Sequence, residues 1–128
     1  MPTARRPSRL ENRRRAERKG RLAEAVAALF LQLKGYRVLA RRVRTKAGEI
    51  DLVVRRGNVL VFVEVKARHT LDSGVFALHP ATLQRIGSAA RVLAPRFLGR
   101  CTTTRIDAVV VRPWAVPVHM VAVWRELG

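Results

Sequence analysis

The sequence predicts an α/β fold, a mixed central sheet flanked by helices, on three observations. Residues 48–68, GEIDLVVRRGNVLVFVEVKAR, read as two strands, Glu49–Arg56 and Val59–Arg68, joined by a Gly57-Asn58 turn. A helical pattern precedes this hairpin and a second one follows it. Beyond the second helix lies IDAVVV (106–111), and the order strand, helix, strand implies a crossover that sets this strand parallel to one of the hairpin. A chain of 128 residues is one domain with a single modest core.

Taken in order, residues 1–19 form a basic arm, disordered or helical, ahead of a domain spanning 20–128. The arm sets Arg5, Arg6, Arg9, Arg13, Arg14, Arg15, Arg18 and Lys19 against only Glu11 and Glu17. Ser8 and Glu11 have capping-box spacing, which starts a helix near Arg9. Over Arg21 to Lys34, Leu22, Val26, Leu29, Phe30 and Leu33 recur at helical spacing, and Gly35 fits the left-handed stop. Alanines fill much of the remainder, so this helix is expected to be covered on more than one side. Arg37 to Thr45 reads as a first strand, anchored by Val38, Leu39 and Val43. Thr70 to His79, with Asp72, Ser73 and Gly74, is expected to be a loop near the mouth of a site. Pro80 opens a second helix that Pro95 should end at about Ala94, with Leu83, Ile86, Ala90 and Leu93 as its buried stripe. Gln84 lies off that stripe. Val118 to Trp124 alternates as a last strand.

Charge is the loudest feature of the composition. Lys and Arg number 26 against 9 Asp and Glu, a net charge of +17, which points to a polyanion and first to nucleic acid. No apolar run approaches the roughly 18 residues of a membrane span. Neither is a secretory leader visible, so a cytoplasmic location is expected. The lone cysteine, Cys101, excludes an intramolecular disulfide and a cysteine zinc cage. His69, His79 and His119 are scattered and form no zinc set. Aromatic content of 5% gives no sign of a stacking platform for single-stranded bases.

The two-residue loop makes Arg56 face Val59, and the same register makes Asp51 face Glu64 and Glu49 face Lys66. Alternation puts all four charged residues on one side of an otherwise apolar hairpin. Opposed side chains have Cβ atoms about 4.5–5.5 Å apart, and like charges so placed repel. One explanation is a divalent cation between Asp51 and Glu64, a hard oxygen site of the Mg2+ kind. The other is that Glu49 pairs with Lys66 while Asp51 and Glu64 sit wet at an edge or share a proton. Geometry alone leaves both open, because a bulge would shift the register.

GEIDLV followed by VFVEVKAR, then a helix and RIDAVVV, resembles the signature of the PD-(D/E)xK nuclease superfamily. It is most similar to the uncharacterised bacterial YraN-like family, related in fold to archaeal Holliday-junction resolvases, and the resemblance covers about residues 20–111. That resemblance implies a restriction-endonuclease-like αβββαβ core and a Mg2+- or Mn2+-dependent endonuclease acting on DNA, branched DNA included. It implies Asp51, Glu64 and the Val65 carbonyl as metal ligands, Lys66 beside the attacking water, and Gln84 orienting that water. Glu24 on the first helix would serve a second metal, and Asp107 matches a position with a structural role. Arg13, Arg14 and Arg15 of the arm, with Arg41, Arg42, Arg44, Arg55 and Arg56, would grip the phosphate backbone. A homodimer follows from the resolvase likeness. The alternative is a non-catalytic nucleic-acid-binding protein on a nuclease fold. A small ribosome-associated basic protein ranks third, because it leaves the opposed acids unexplained.

Overall fold

Ser8 starts the first helix: its hydroxyl accepts the Glu11 N–H at 3.1 Å, as the Ser-x-x-Glu spacing predicts. The computed structural model describes residues 6–124, so Arg5 and the residues before it lie outside the described residues. Helix α1 (Arg9–Leu33) is continuous, and the basic arm from Arg9 onward is its first half. Gly35 follows it at φ 91° and turns the chain into the sheet.

The face that α1 lays on the sheet is not its leucine stripe. Ala23, Ala27, Ala28 and Leu31 are buried, whereas Leu22, Leu29 and Leu33 are 67%, 58% and 80% exposed. The expectation of cover on several sides is thereby corrected. Both faces of the helix are apolar, so periodicity alone does not choose between them. Small side chains win against a sheet of valines because they let the helix backbone approach closely.

Five strands follow: β1 (Arg37–Thr45), β2 (Gly48–Arg56), β3 (Val59–Ala67), β4 (Thr103–Val111) and β5 (Val118–Trp124). They lie side by side in chain order, antiparallel except for the parallel β3–β4 pair that the crossover dictates. The expected loop after β3 contains a short helix, α2 (Leu71–Phe76), capped by Thr70, whose hydroxyl accepts the Ser73 N–H. Helix α3 (Pro80–Phe97) runs three residues past the predicted end, because Pro95 sits in its last turn and removes only one helical bond there. Leu52, Val54, Val61, Val63 and Val109 pack under α1. Ile50, Val53, Leu60, Phe62 and Ile106 pack under α3. This mixed sheet between helices is consistent with a restriction-endonuclease-like core. No helix among the described residues is long and apolar enough to cross a membrane.

Asp107, wholly buried on β4, ties the far edge together. It accepts two bonds from Arg105 at 2.8 Å, one from His119 Nε2 at 2.7 Å and one from the Ala122 N–H at 2.9 Å. Ala122 stands at φ 55° where the β4–β5 register shifts, so Asp107 holds the bulge that bends β5. Burial works to raise its pKa, but the bonds from His119, Arg105 and Ala122 outweigh burial and hold it below the ordinary value. Arg105 also donates to the Tyr36 hydroxyl at 2.7 Å, linking β4 to the start of β1. The structural role expected of Asp107 is what this bonding gives.

Candidate active site

The hairpin register set by Gly57-Asn58 holds from Arg56↔Val59 to Leu52↔Val63, one pair short of Asp51 and Glu64. There the β2–β3 ladder stops. Ile50 and Val53 pack on the α3 side while Leu52 and Val54 pack on the α1 side, so strict alternation fails between Ile50 and Leu52. β1 keeps its register there but kinks, with Arg42 at φ 51° and with Ala40 and Val43 both against the α3-side core; its register shift lies earlier, between Val38 and Ala40. Asp51 sits in this kink. Its Oδ2 accepts the Val65 N–H at 2.8 Å, in place of a backbone carbonyl of β2. By strand geometry the Val65 carbonyl points to the same gap.

Glu64 and Lys66 stand two residues apart on β3 and pair at 3.0 Å, with side chains 12% and 19% exposed. Lys66 therefore pairs with Glu64 rather than with Glu49. Glu49 is an exposed residue bound to Arg44 at 3.2 Å. Burial first, then the charge of Glu64, pushes the Asp51 pKa from 3.8 up to about 7. The Val65 N–H and Lys66 act in the opposite direction, and Glu24 adds to the rise. Asp51, Glu64, Lys66 and Glu24 thus share one electrostatic neighbourhood.

Glu24 reaches that neighbourhood from α1 with its carboxylate bound by Arg42 Nε at 2.6 Å. Among the described residues no three His, Cys, Asp or Glu side chains gather around one point. The donor set on offer is two carboxylates and a carbonyl. That suits Mg2+, which takes one or two carboxylates and fills its octahedron with water and phosphate oxygens. Gln84 is exposed on α3, one position before Arg85, whose side chain covers Gly48 in the β1–β2 turn.

Of the cationic candidates, Arg13, Arg14 and Arg15 are exposed along α1, and Arg41, Arg42 and Arg44 are exposed beside the kink. Arg55 and Arg56 lie at the opposite end of the hairpin, next to its turn. Arg56 stacks over Tyr36 at 5.0 Å and donates to the Lys34 carbonyl. The Arg42–Glu24 link had no signal in the sequence, since 18 positions separate two residues that only the kink brings together.

The sequence pattern of the uncharacterised protein family UPF0102 matches residues 23–111, a span holding Glu24, Asp51, Glu64, Lys66, Gln84 and Asp107. The chain belongs to UPF0102, the YraN family. It is 44% identical over 115 residues to a UPF0102 protein of Rhizorhabdus wittichii, covering 90% of this chain and 98% of that relative. A UPF0102 protein of Mesorhizobium japonicum is 48% identical over 119 residues, 91% of this chain and 93% of its own length. Another from Paramagnetospirillum magneticum is 46% identical over 116 residues, covering 86% and 89%. The UPF0102 match ends at Val111, so it includes Asp107 but not the bulged strand that Asp107 holds.

Proposed function

We propose that this UPF0102 chain is a metal-dependent endonuclease that hydrolyses phosphodiester bonds in DNA, branched DNA included, in the cytoplasm and as a homodimer. Asp51, Glu64 and the Val65 carbonyl are the proposed ligands of Mg2+ or Mn2+. The reading rests on one observation: two partly buried carboxylates on adjacent strands share a neighbourhood with a lysine, and burial, together with the charge of Glu64, raises the Asp51 pKa to about 7. A cation between the two carboxylates would resolve their conflict at pH values where both are ionised.

When bound, the metal activates water and polarises the phosphoryl oxygen. Lys66 sets a positive charge next to the position where negative charge grows on the phosphate. Gln84, exposed on α3, is the residue proposed to orient the water. Glu24 adds a carboxylate once Arg42 turns from it to a phosphate. The exposed arginines of α1 and β1 hold the backbone without reading bases.

One observation favours the second reading, a binding protein without turnover. The ion pairs Lys66–Glu64 and Arg42–Glu24 already neutralise two of the acids. Incubating the full chain with supercoiled plasmid in Mg2+ or Mn2+ separates the two. The nuclease reading expects nicking that EDTA abolishes and that Asp51→Asn, Glu64→Gln and Lys66→Ala lose while still binding DNA. Cutting by all three variants at the parent rate would assign the activity elsewhere. No cutting by the parent leaves the binder.

A further inference from the structure

We propose that the groove between α1 and the β4–β5 connection receives an unpaired nucleobase of the strand being bound, stacked on Trp114. The proposal rests on nucleic acid as the partner and names the part of it that must be unpaired. The groove has a volume of about 630 Å³. One wall is aliphatic, Leu22 and Val26 of α1, and the other carries Trp114 and Val116. It begins one residue from Glu24 on α1, at Ala23, and one residue from Lys66 on β3, at Ala67. A base seated there belongs to the same strand segment as a phosphate at the acids.

Trp114 is fully exposed, at 104%, on a turn residue with φ 56°. A tryptophan there buries nothing and strains the backbone, so folding gives no reason for it. The sequence shows too few aromatics for a platform of several rings, and the structure offers one exposed ring in a groove that also has an aliphatic wall. Aromatic and apolar side chains on either side are how proteins hold extruded or single-stranded bases.

Charge decides among occupants. Lys19, Arg68 and Arg112 line the groove, and among the described residues no acid does. Arg112 is held in place by one bond to the Val116 carbonyl at 3.3 Å, and its Nε is buried with no acceptor among the described residues. The cationic edge made by Lys19, Arg68 and Arg112 suits the phosphates on either side of a base. A second copy of this chain would bring the same cations against these, on a molecule already at +17. An intact duplex keeps its bases stacked and cannot fill the groove, so frayed, single-stranded or branched ends are the preferred ligands.

The test measures binding by anisotropy of fluorescein-labelled DNA, with the full chain in EDTA, so that no cleavage enters. A short single-stranded oligonucleotide is compared with a blunt duplex of equal length. Trp114→Ala should weaken single-strand binding by about 5- to 150-fold, the range expected for losing a stacked base. Duplex binding should change less than about twofold, and Trp114→Phe should keep most of the single-strand affinity. Equal loss for both ligands, or no loss, overturns the proposal. So does a fall in self-association of Trp114→Ala by sedimentation with DNA binding intact, which would give the groove to a second copy. Single-strand preference without any nuclease activity keeps the groove and removes only the catalytic reading.

Discussion

Replacing Asp51 by Asn should stabilise the chain when no divalent metal is present. Burial and the neighbouring Glu64 raise the Asp51 pKa from 3.8 to about 7. Between these values the folded chain keeps a proton that the unfolded chain has lost. Folding therefore weakens as pH rises through that window. The gap corresponds to about 4 kcal/mol at neutral pH and above, and it belongs to the Asp51–Glu64 pair rather than to Asp51 alone. Asparagine keeps an oxygen for the Val65 N–H and carries no charge. At pH 8 in EDTA the variant should be about 2–4 kcal/mol more stable than the parent, roughly 10 °C in Tm. Near pH 4 the advantage should vanish. Urea unfolding followed by far-UV circular dichroism reads both values, and Mg2+ should then stabilise the parent but not the variant. An Asp51→Asn protein less stable than the parent at pH 8 would refute the argument, since the acids would then not be in conflict.

Further outcomes follow from the packing. Asp107→Asn should cost about 3–5 kcal/mol in urea, because Arg105 and His119 lose the charge they surround. The Asp107 pKa lies below 3.8 in the fold, so its stabilising contribution is lost as pH falls below about 4, and acid titration of the variant should lack that component. Gly74→Ala should cost about 1–3 kcal/mol, since the new Cβ would stand 2.5 Å from Val110 Cγ1, a buried branched side chain. On α1, Ala27→Leu should cost about 1–3 kcal/mol and Leu29→Gln less than about 0.5. Thermal melts showing the reverse order would mean that the helix presents its other face to the sheet.

The hairpin was legible because Gly57-Asn58 fixes a register that no distant contact needs to supply, and that register holds for every pair up to Leu52↔Val63. The parallel β3–β4 pair followed from connectivity. The kink at Arg42 and Asp51 was not legible, because it needs a non-glycine residue at positive φ and a side chain replacing a backbone acceptor. Its effect was to change the partners: Lys66 found Glu64 and Glu49 found Arg44. For α1 the error had another source. Leucines at helical spacing look like a core stripe, yet the alanine face makes the closer contact with a valine sheet.

Most sheet amides donate to carbonyls, whose charge never changes. The Val65 amide donates instead to a side chain that gains and loses a proton. Its proton resonance should therefore move with that carboxyl group, giving a built-in spectroscopic gauge of ionisation at the centre of the molecule. In a 15N-labelled sample the same cross-peak would register the arrival of a cation, with no chromophore and no substrate added.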